Sequence, residues 1–537
     1  MTATPHPRLP GRRDPSTPRR RRTLRGAVGA AGLLLVVLSP TTGTVAAAAP
    51  VPPEPSGSVD MSDVDRFVER ELRASSLPGA AVAITRGDHV LHVRGYGRDA
   101  GGAPVTGTTL FRIASLSKSI TALAVMQLVE AGRLSLDRTV AAYVPEFRPA
   151  DSRGTDITVR QLLNQTSGLA DRAFNELEDP QPRTLAEAVS RLRAATLVAD
   201  PGAEWNYHNP NYEVAARLVE VASGQPFDRY LRERVFAPAG MKDSLTTYTD
   251  NAPVAGLAEG HVMAYGHAFA VGLPDKFGAG AGDVVSTASD MARWLVLQTN
   301  HGRSAEGHRL LSEELLHQMH TSSTPVGYGY GWSVHRTPEG SIRVGHTGNL
   351  LTFSSFQTIL PDTGYGVVVL FNSGSAHTID QAAIFEGVLG LVAGSSVRRS
   401  GVQMSATALD LMLGCLTAAA LAAGVIGALR SAAWATRASH HRRFRVARMV
   451  AGLVPHGVVL GLVVAFPAIA GHAFGDRAVT WTSAAYAWPA ALILVLAALL
   501  ATLATLGARA WQLARTARTA DTRGRPTRSL SRRRGPG

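Results

Sequence analysis

Phe353-Ser354-Ser355-Phe356-Gln357-Thr358-Ile359-Leu360, then Pro361-Asp362-Thr363-Gly364, then Gly366-Val367-Val368-Val369-Leu370-Phe371 is the stretch that decides the fold class. Two runs rich in β-branched and aromatic residues flank a Pro-Asp-x-Gly turn, which reads as a β-hairpin and implies an antiparallel sheet. Working outward, residues 330–334 and 341–344 read as two more strands just upstream. A matching pair, 80–84 and 90–93, is joined by Arg86-Gly87-Asp88 far earlier in the chain. Between these groups, from Ile120 to about His320, the pattern is helical with irregular loops. The expected fold is α/β (α+β): an antiparallel sheet built from both ends of the domain and flanked by helices, with a helical region inserted between. A cleft is expected where sheet and insertion meet. The domain starts near Ser62 and Asp65, which resemble a capped helix start, with Val64, Phe67, Val68 and Leu72 on one face.

Beyond residue 394 the composition changes. Apolar runs near 408–429, 449–470 and 483–507 have the length needed to cross a bilayer core of about 30 Å and read as three transmembrane helices. The net charge of +13 sits outside the folded part. The N-terminal arm carries +7, the connection from Arg430 to Arg448 carries +6 and the tail from Arg509 carries +8, which leaves the remainder at −8. This distribution removes the support for nucleic-acid binding that a basic chain would otherwise give. It also sets an expected topology, because basic loops stay in the cytoplasm. The connection between the first and second helices is basic, whereas the short link from Gly471 to Val479 carries only Asp476 and Arg477. The tail is therefore expected inside and the globular domain outside, with Trp481, Tyr486 and Trp488 at the outer interface. The N-terminus agrees: arginines 19–22 and Arg25, an apolar run from Gly26 to Leu38, and Ala46-Ala47-Ala48 read as a signal peptide or N-terminal anchor over 1–49. A proline-rich linker at 50–60 then leads into a catalytic domain at 61–394, and 395–537 form the membrane region and cytoplasmic tail.

Cys415 is the sole cysteine, so the domain has no internal disulfide. Lysine is almost as scarce. Lys118, Lys242 and Lys276 are the only three, in a chain that otherwise uses arginine, and a buried lysine can lose its proton where arginine cannot. Lys118 lies three residues after Ser115, where a short strand-like segment, Phe111-Arg112-Ile113, runs into a helix over 120–130. That spacing puts both side chains on one helix face, with Ser115 at the positive end of the helix dipole. A serine hydroxyl needs a neighbour to take its proton, and a lysine of depressed pKa can do so. Ser115 is accordingly the candidate nucleophile and Lys118 its base.

Two further segments accompany this pair: Tyr207-His208-Asn209, a Tyr-x-Asn, and His346-Thr347-Gly348 at the expected end of a strand. With Ser115-x-x-Lys118, and in this order, they make the chain resemble the serine β-lactamase and penicillin-binding protein family. The likeness is to the class C-like branch that also holds DD-peptidases, D-aminopeptidases and esterases, over roughly 61–394. Supporting segments are 162–169, 280–291 and 328–332. The resemblance implies that Ser115 forms an acyl-enzyme, that Lys118 and Tyr207 share the proton work, and that Asn209, His346, Thr347 and Gly348 bind substrate. It further implies an oxyanion hole made by the backbone N–H groups of Ser115 and Asn349. No metal and no cofactor is expected. His346 stands where many β-lactamases have lysine, which reduces the positive charge facing a substrate carboxylate and favours the peptidase and esterase branches. Gln165 replaces a histidine common in its segment.

His317 and His320 read as a solvated pair on a helix, without a third ligand. No partner for His261, His267, Asp410, His456 or His472 can be recognised from the sequence, and no Gly-x-Ser-x-Gly elbow is present. The function expected is a membrane-anchored, extracytoplasmic serine hydrolase acting on amide or ester bonds of a small molecule or short peptide (D-amino-acid peptide, ester or β-lactam type). The alternative is a penicillin-binding membrane sensor or scaffold with little turnover. Oligomeric state is left open by the sequence.

Overall fold

The computed structural model of the 537-residue chain describes residues 59–337, 340–374, 378–394, 405–439, 445–473 and 477–523. The expected leader, nearly all of the linker and the end of the basic tail lie outside these residues. Six strands, β1 (Gly79–Arg86), β2 (His89–Gly97), β3 (Ser333–Arg336), β4 (Ile342–Leu350), β5 (Phe353–Leu360) and β6 (Tyr365–Phe371), form one sheet in the order β2-β1-β6-β5-β4-β3. Every neighbouring pair is antiparallel. The hairpin read from the sequence is β5–β6, closing with Leu360 opposite Tyr365. The two ends of the domain join where β1 pairs with β6, from Ala80 opposite Phe371 to Arg86 opposite Tyr365.

Helices cover both faces. On one side lie α1 (Met61–Ser75) and α5 (Ile379–Val392); on the other lie α2 (Ser117–Glu130), α3 (Pro210–Ser223) and α4 (Ala288–Thr299). Alternate strand residues point to opposite faces. Ala80, Val82 and Ile84 with Val367, Val369 and Phe371 pack on Val64, Phe67, Ile384 and Val388, whereas Ala81, Ala83, Val368 and Leu370 pack on the face that holds Trp294 and Leu295. Each large apolar side chain buried this way stabilises the fold by roughly 1.5–3 kcal/mol. α1 starts as the sequence indicated: Asp60 caps it by accepting from the Ser62 N–H at 2.9 Å, and Val64, Phe67, Val68 and Leu72 form its buried face.

Two strand readings are corrected. Residues 330–332 do not pair in the sheet. Tyr330 accepts a hydrogen bond from Arg160 at 2.5 Å, and Trp332 stacks on Trp294 at 6.5 Å with rings 3° apart, so their apolarity marks core packing rather than a strand. The strand expected at 341–344 continues to Leu350 as β4, which places His346-Thr347-Gly348 inside the strand instead of at its end. The solvated reading of His317 and His320 also fails for His320, whose Nε2 donates to Gln298 Oε1 at 3.0 Å and whose ring lies edge-on to Trp332. Burial pushes its pKa down to about 3.

Among the described residues, the C-terminal part has three helices long and apolar enough to cross a membrane: α6 (Ala406–Leu429), α7 (Arg445–Ala473) and α8 (Pro489–Arg523), with their apolar spans at Ala406–Leu429, Met449–His472 and Pro489–Arg518. α6 and α8 approach closely through small residues; a Cβ on Gly424 would lie 2.6 Å from the Ala501 Cβ. The third span does not start at 483. A short helix, Trp481–Ala487, ends at Trp488, whose φ of −148° leaves the helical region, and α8 begins at Pro489. The basic connection between the first two spans contains a helix of its own, Ser431–Ser439. Asp410 and His261 do have partners. Asp410 Oδ2 accepts from the Tyr265 N–H at 2.8 Å, tying α6 to the turn of the hairpin Gly260–Ala264/His267–Val271, and His261 Nδ1 donates to the Asn372 carbonyl at 2.8 Å.

Candidate active site

The nucleophile candidate sits on a turn fixed by the side chains of two other serines. A 3-10 turn, Ala114–Leu116, leads directly into α2, which begins at Ser117. Ser117 Oγ donates to the Ala114 carbonyl at 2.6 Å and accepts from the Val284 N–H at 3.1 Å, and Ser355 Oγ on β5 donates to the Ile113 carbonyl at 2.7 Å. These bonds hold Ala114 at φ 49°, in the left-handed region that costs a non-glycine residue roughly 1–3 kcal/mol. β4 passes close beneath. A Cβ on Gly348 would lie 2.6 Å from the Ile113 carbonyl oxygen and 3.0 Å from the Ala114 Cβ, so only glycine lets the strand meet the turn.

Ser115 is half-buried and Lys118 is fully buried. The Lys118 amine lies 3.2 Å from Ser115 Oγ and donates to Asn209 Oδ1 at 2.8 Å and to the Ala281 carbonyl at 2.7 Å. A neutral amine has two N–H donors and one lone pair. With both donors taken by the two shorter contacts, the lone pair faces the serine hydroxyl. Burial pushes the Lys118 pKa well below the ordinary lysine value, and the nearby Arg477 cation pushes the same way.

Tyr207 and Asn209 reach the site from the segment preceding α3, whose Pro210 sits in its first turn. Gln165 organises that segment. At φ 63°, it accepts with Oε1 from the His208 N–H at 3.1 Å and from Asn211 Nδ2 at 2.6 Å, and its carbonyl accepts from the Asn206 N–H at 2.9 Å. The Tyr207 ring lies 4.9 Å from Lys118 Nζ. Burial raises the Tyr207 phenol to about 12, with the Ser115 hydroxyl and Arg477 pulling the other way. The two shifts run in opposite directions: the phenol holds its proton more tightly and the amine gives up its proton more readily than usual. Asn209 is engaged at both ends, accepting from Lys118 and donating through Nδ2 to Glu176 Oε1 at 2.7 Å.

On the opposite wall, Thr347 and Asn349 of β4 are exposed, and Asn349 lines a cleft of ≈ 330 Å³ together with Ser115, Asn209, Lys276 and Phe277. His346 is buried behind Tyr207, their ring centres 6.1 Å apart; its Nδ1 donates to the Thr347 carbonyl at 2.7 Å and its Nε2 meets the Tyr328 hydroxyl at 3.0 Å. Burial, with the neighbouring Lys118, pushes its pKa down to about 3, so it carries no charge near neutrality. The structure thus brings Ser115, Lys118, Tyr207 and Asn209 into contact, sets Thr347 and Asn349 across the cleft, and puts His346 and Gly348 behind that surface.

Sequence reasoning missed a set of buried charges beside these residues. Glu176 Oε1 lies 3.4 Å from both Lys276 Nζ and Arg477 Nη2, and Arg477 Nε lies 2.9 Å from Asp171 Oδ2. Asp171 Oδ1 in turn bonds His208 Nδ1 at 2.7 Å. Burial alone would raise the Glu176 pKa, but Lys276 and Arg477 outweigh it and hold the carboxyl at about 2. Glu213, buried near the same negative charge, is pushed up to about 8. Asp171, Glu176 and His208 are also the one group among the described residues with three ligand-type atoms within 4.8 Å of one another, yet Arg477 and Lys276 already supply the cationic charge there. Lys276 is one of only three lysines, but the sequence assigns it no role, and Glu176 and Arg477 belong to no motif.

Comparison with known proteins fits this geometry. Residues 64–389 match the family described as Beta-lactamase. "Protein flp" of Staphylococcus aureus (strain MW2) is 27% identical over 327 residues, which cover 58% of this chain and 63% of that protein, so the chain spans just under two thirds of this relative's length. "Penicillin-binding protein 4" of Amycolatopsis lactamdurans is 30% identical over 333 residues, covering 59% of this chain and 86% of that one. Among solved structures, the D-amino acid amidase from Ochrobactrum anthropi SV3 superposes with a TM-score of 0.50 at 26% identity, over 62% of this chain and 96% of that chain. The chain belongs to the β-lactamase family and carries a penicillin-binding-protein-like serine hydrolase fold.

Proposed function

We propose that this protein is a membrane-anchored serine hydrolase whose catalytic domain faces the outside of the cell, and that it cleaves amide or ester bonds through an acyl-enzyme on Ser115. The observation that carries the reading is the Lys118 amine, buried and 3.2 Å from Ser115 Oγ, with its pKa pushed well below the ordinary lysine value. In the acylation step Ser115 Oγ forms a bond to the substrate carbonyl carbon while its proton passes to Lys118. The carbonyl oxygen gains the negative charge, which the backbone N–H groups of Ser115 and Asn349 receive. Collapse of this intermediate breaks the bond to the leaving group, which takes the proton from Lys118 by way of the Tyr207 hydroxyl. Water then attacks the acyl carbon with the same pair as base, releasing the acid and restoring Ser115.

The substrate class follows from two things. An uncharged His346 provides no cation for a substrate carboxylate, which favours amides and esters of D-amino-acid type over antibiotic lactams. The solved D-amino acid amidase is also among the structures this chain superposes on. Full-length protein in detergent should be labelled by a fluorophosphonate and turn over D-amino-acid amides or small chromogenic esters repeatedly. Ser115→Ala should abolish both labelling and turnover. Undiminished labelling in that variant would overturn the assignment, and a single stalled acylation in the wild type would move the protein to the sensor reading.

A further inference from the structure

The link between α7 and α8 reads from the sequence as a short outer connection. Its described part instead docks on the catalytic domain. Arg477 Nη1 donates to the Tyr207 carbonyl at 3.3 Å, and the guanidinium lies 5.0 Å from the centre of the Tyr207 ring. Its Nε meets Asp171 at 2.9 Å, its Nη2 meets Glu176 at 3.4 Å, and the next residue, Ala478, donates its N–H to Asp171 Oδ2 at 2.9 Å. Farther along, the Tyr486 hydroxyl donates to the Gly272 carbonyl at 2.9 Å. A planar cation that cannot lose its proton is therefore clamped between two buried carboxylates and the residue next to the nucleophile.

We propose that Arg477 is a positioning residue of the active site: it holds the Tyr207 segment and keeps a fixed positive charge near the Lys118 amine, so that the membrane link completes the catalytic centre. The inference rests on the acyl-enzyme reading given above. The charged and titratable groups around Lys118 are the cations Arg477 and Lys276, the acids Glu176 and Glu213, and the neutral Tyr207, Tyr212 and His346. Of the two cations, Arg477 acts more strongly on the amine. Glu176, which draws the amine's pKa upward, is itself bridged by Arg477 and Lys276. Removing the Arg477 charge thus leaves the acids less compensated and makes Lys118 hold its proton more tightly.

The test is the pH dependence of Ser115 acylation by a fluorophosphonate in the full chain, reconstituted in nanodiscs. Activity needs the neutral amine, so the rate rises with pH through the Lys118 pKa. Arg477→Gln should move that rise to higher pH by about one unit, which lowers the rate about tenfold on the rising limb while leaving saturation by the probe unchanged. Arg477→Lys, which keeps a charge, should restore the position of the limb. Because a neutral residue takes the arginine charge away from Asp171, the Asp171→Asn/Arg477→Gln pair serves as a second variant in which that acid is neutralised as well. Unchanged limbs in both neutral variants, whatever their stability, would overturn the proposal and leave Arg477 as a structural ion pair. Absence of wild-type labelling at Ser115 would instead overturn the acyl-enzyme reading.

Discussion

The turn that carries Ser115 and the link that carries Arg477 reach the same cleft by opposite routes. In the turn, the proposed nucleophile and base are three residues apart, and the bonds that fix them come from the adjoining helix and the sheet. In the link, one side chain crosses to Tyr207 from 270 residues away in sequence, and its position depends on how three apolar helices seat against the domain. The first region makes chemistry local and readable; the second makes the site depend on parts of the chain that carry no motif.

Substitutions can break or sharpen this contrast. Lys118→Arg keeps helix propensity but puts a permanent cation where the site needs an amine that can shed its proton, and acylation should fall about 10³-fold in fluorophosphonate labelling rates. A loss smaller than tenfold would mean that the chemistry is not confined to the turn. Glu176→Gln leaves Lys276 and Arg477 without their shared carboxylate, and thermal or denaturant unfolding in detergent should show a loss of about 3 kcal/mol. The sign of its pH dependence follows from a folded pKa of about 2 against an ordinary 4.5. The carboxylate's contribution is complete above the ordinary value and disappears as pH falls towards the lower one, so the gap between wild type and variant should close over that window. Asp410→Ala removes the acceptor of the Tyr265 N–H and should cost about 1 kcal/mol, read as roughly fivefold faster hydrogen exchange at that amide. An unchanged rate there would mean that α6 does not hold the hairpin.

Much of the architecture was legible because its strands and turns are written in short local patterns. The β-branched and aromatic runs on either side of the Pro361-Asp362-Thr363-Gly364 turn mark the hairpin, and the flanking strands mark a sheet made from both ends of the domain. Errors arose where apolar residues serve packing rather than pairing, as at Tyr330 and Trp332, whose rings fill the core while the strand begins only at Ser333. At the site, Ser115, Lys118, Tyr207 and Asn209 were found because each lies in a compact local pattern. Gln165 was noted without a role, and its three hydrogen bonds to the Tyr207 segment supply one. Arg477 left no trace of this kind. A single arginine in a short polar link looks like topology, and only its contact with Asp171 and Glu176 shows otherwise.

The length of that link has one more consequence. Only three residues separate Ala473, the end of α7, from Arg477, and the four Cα-to-Cα steps extend no farther than about 14 Å. With α7 and α8 spanning a bilayer as proposed, the cleft is leashed to the lipid surface and cannot swing into the bulk. Encounter then becomes a lateral search in a thin layer, in which molecules that themselves travel along the membrane meet Ser115 far more often than equally concentrated molecules in free solution.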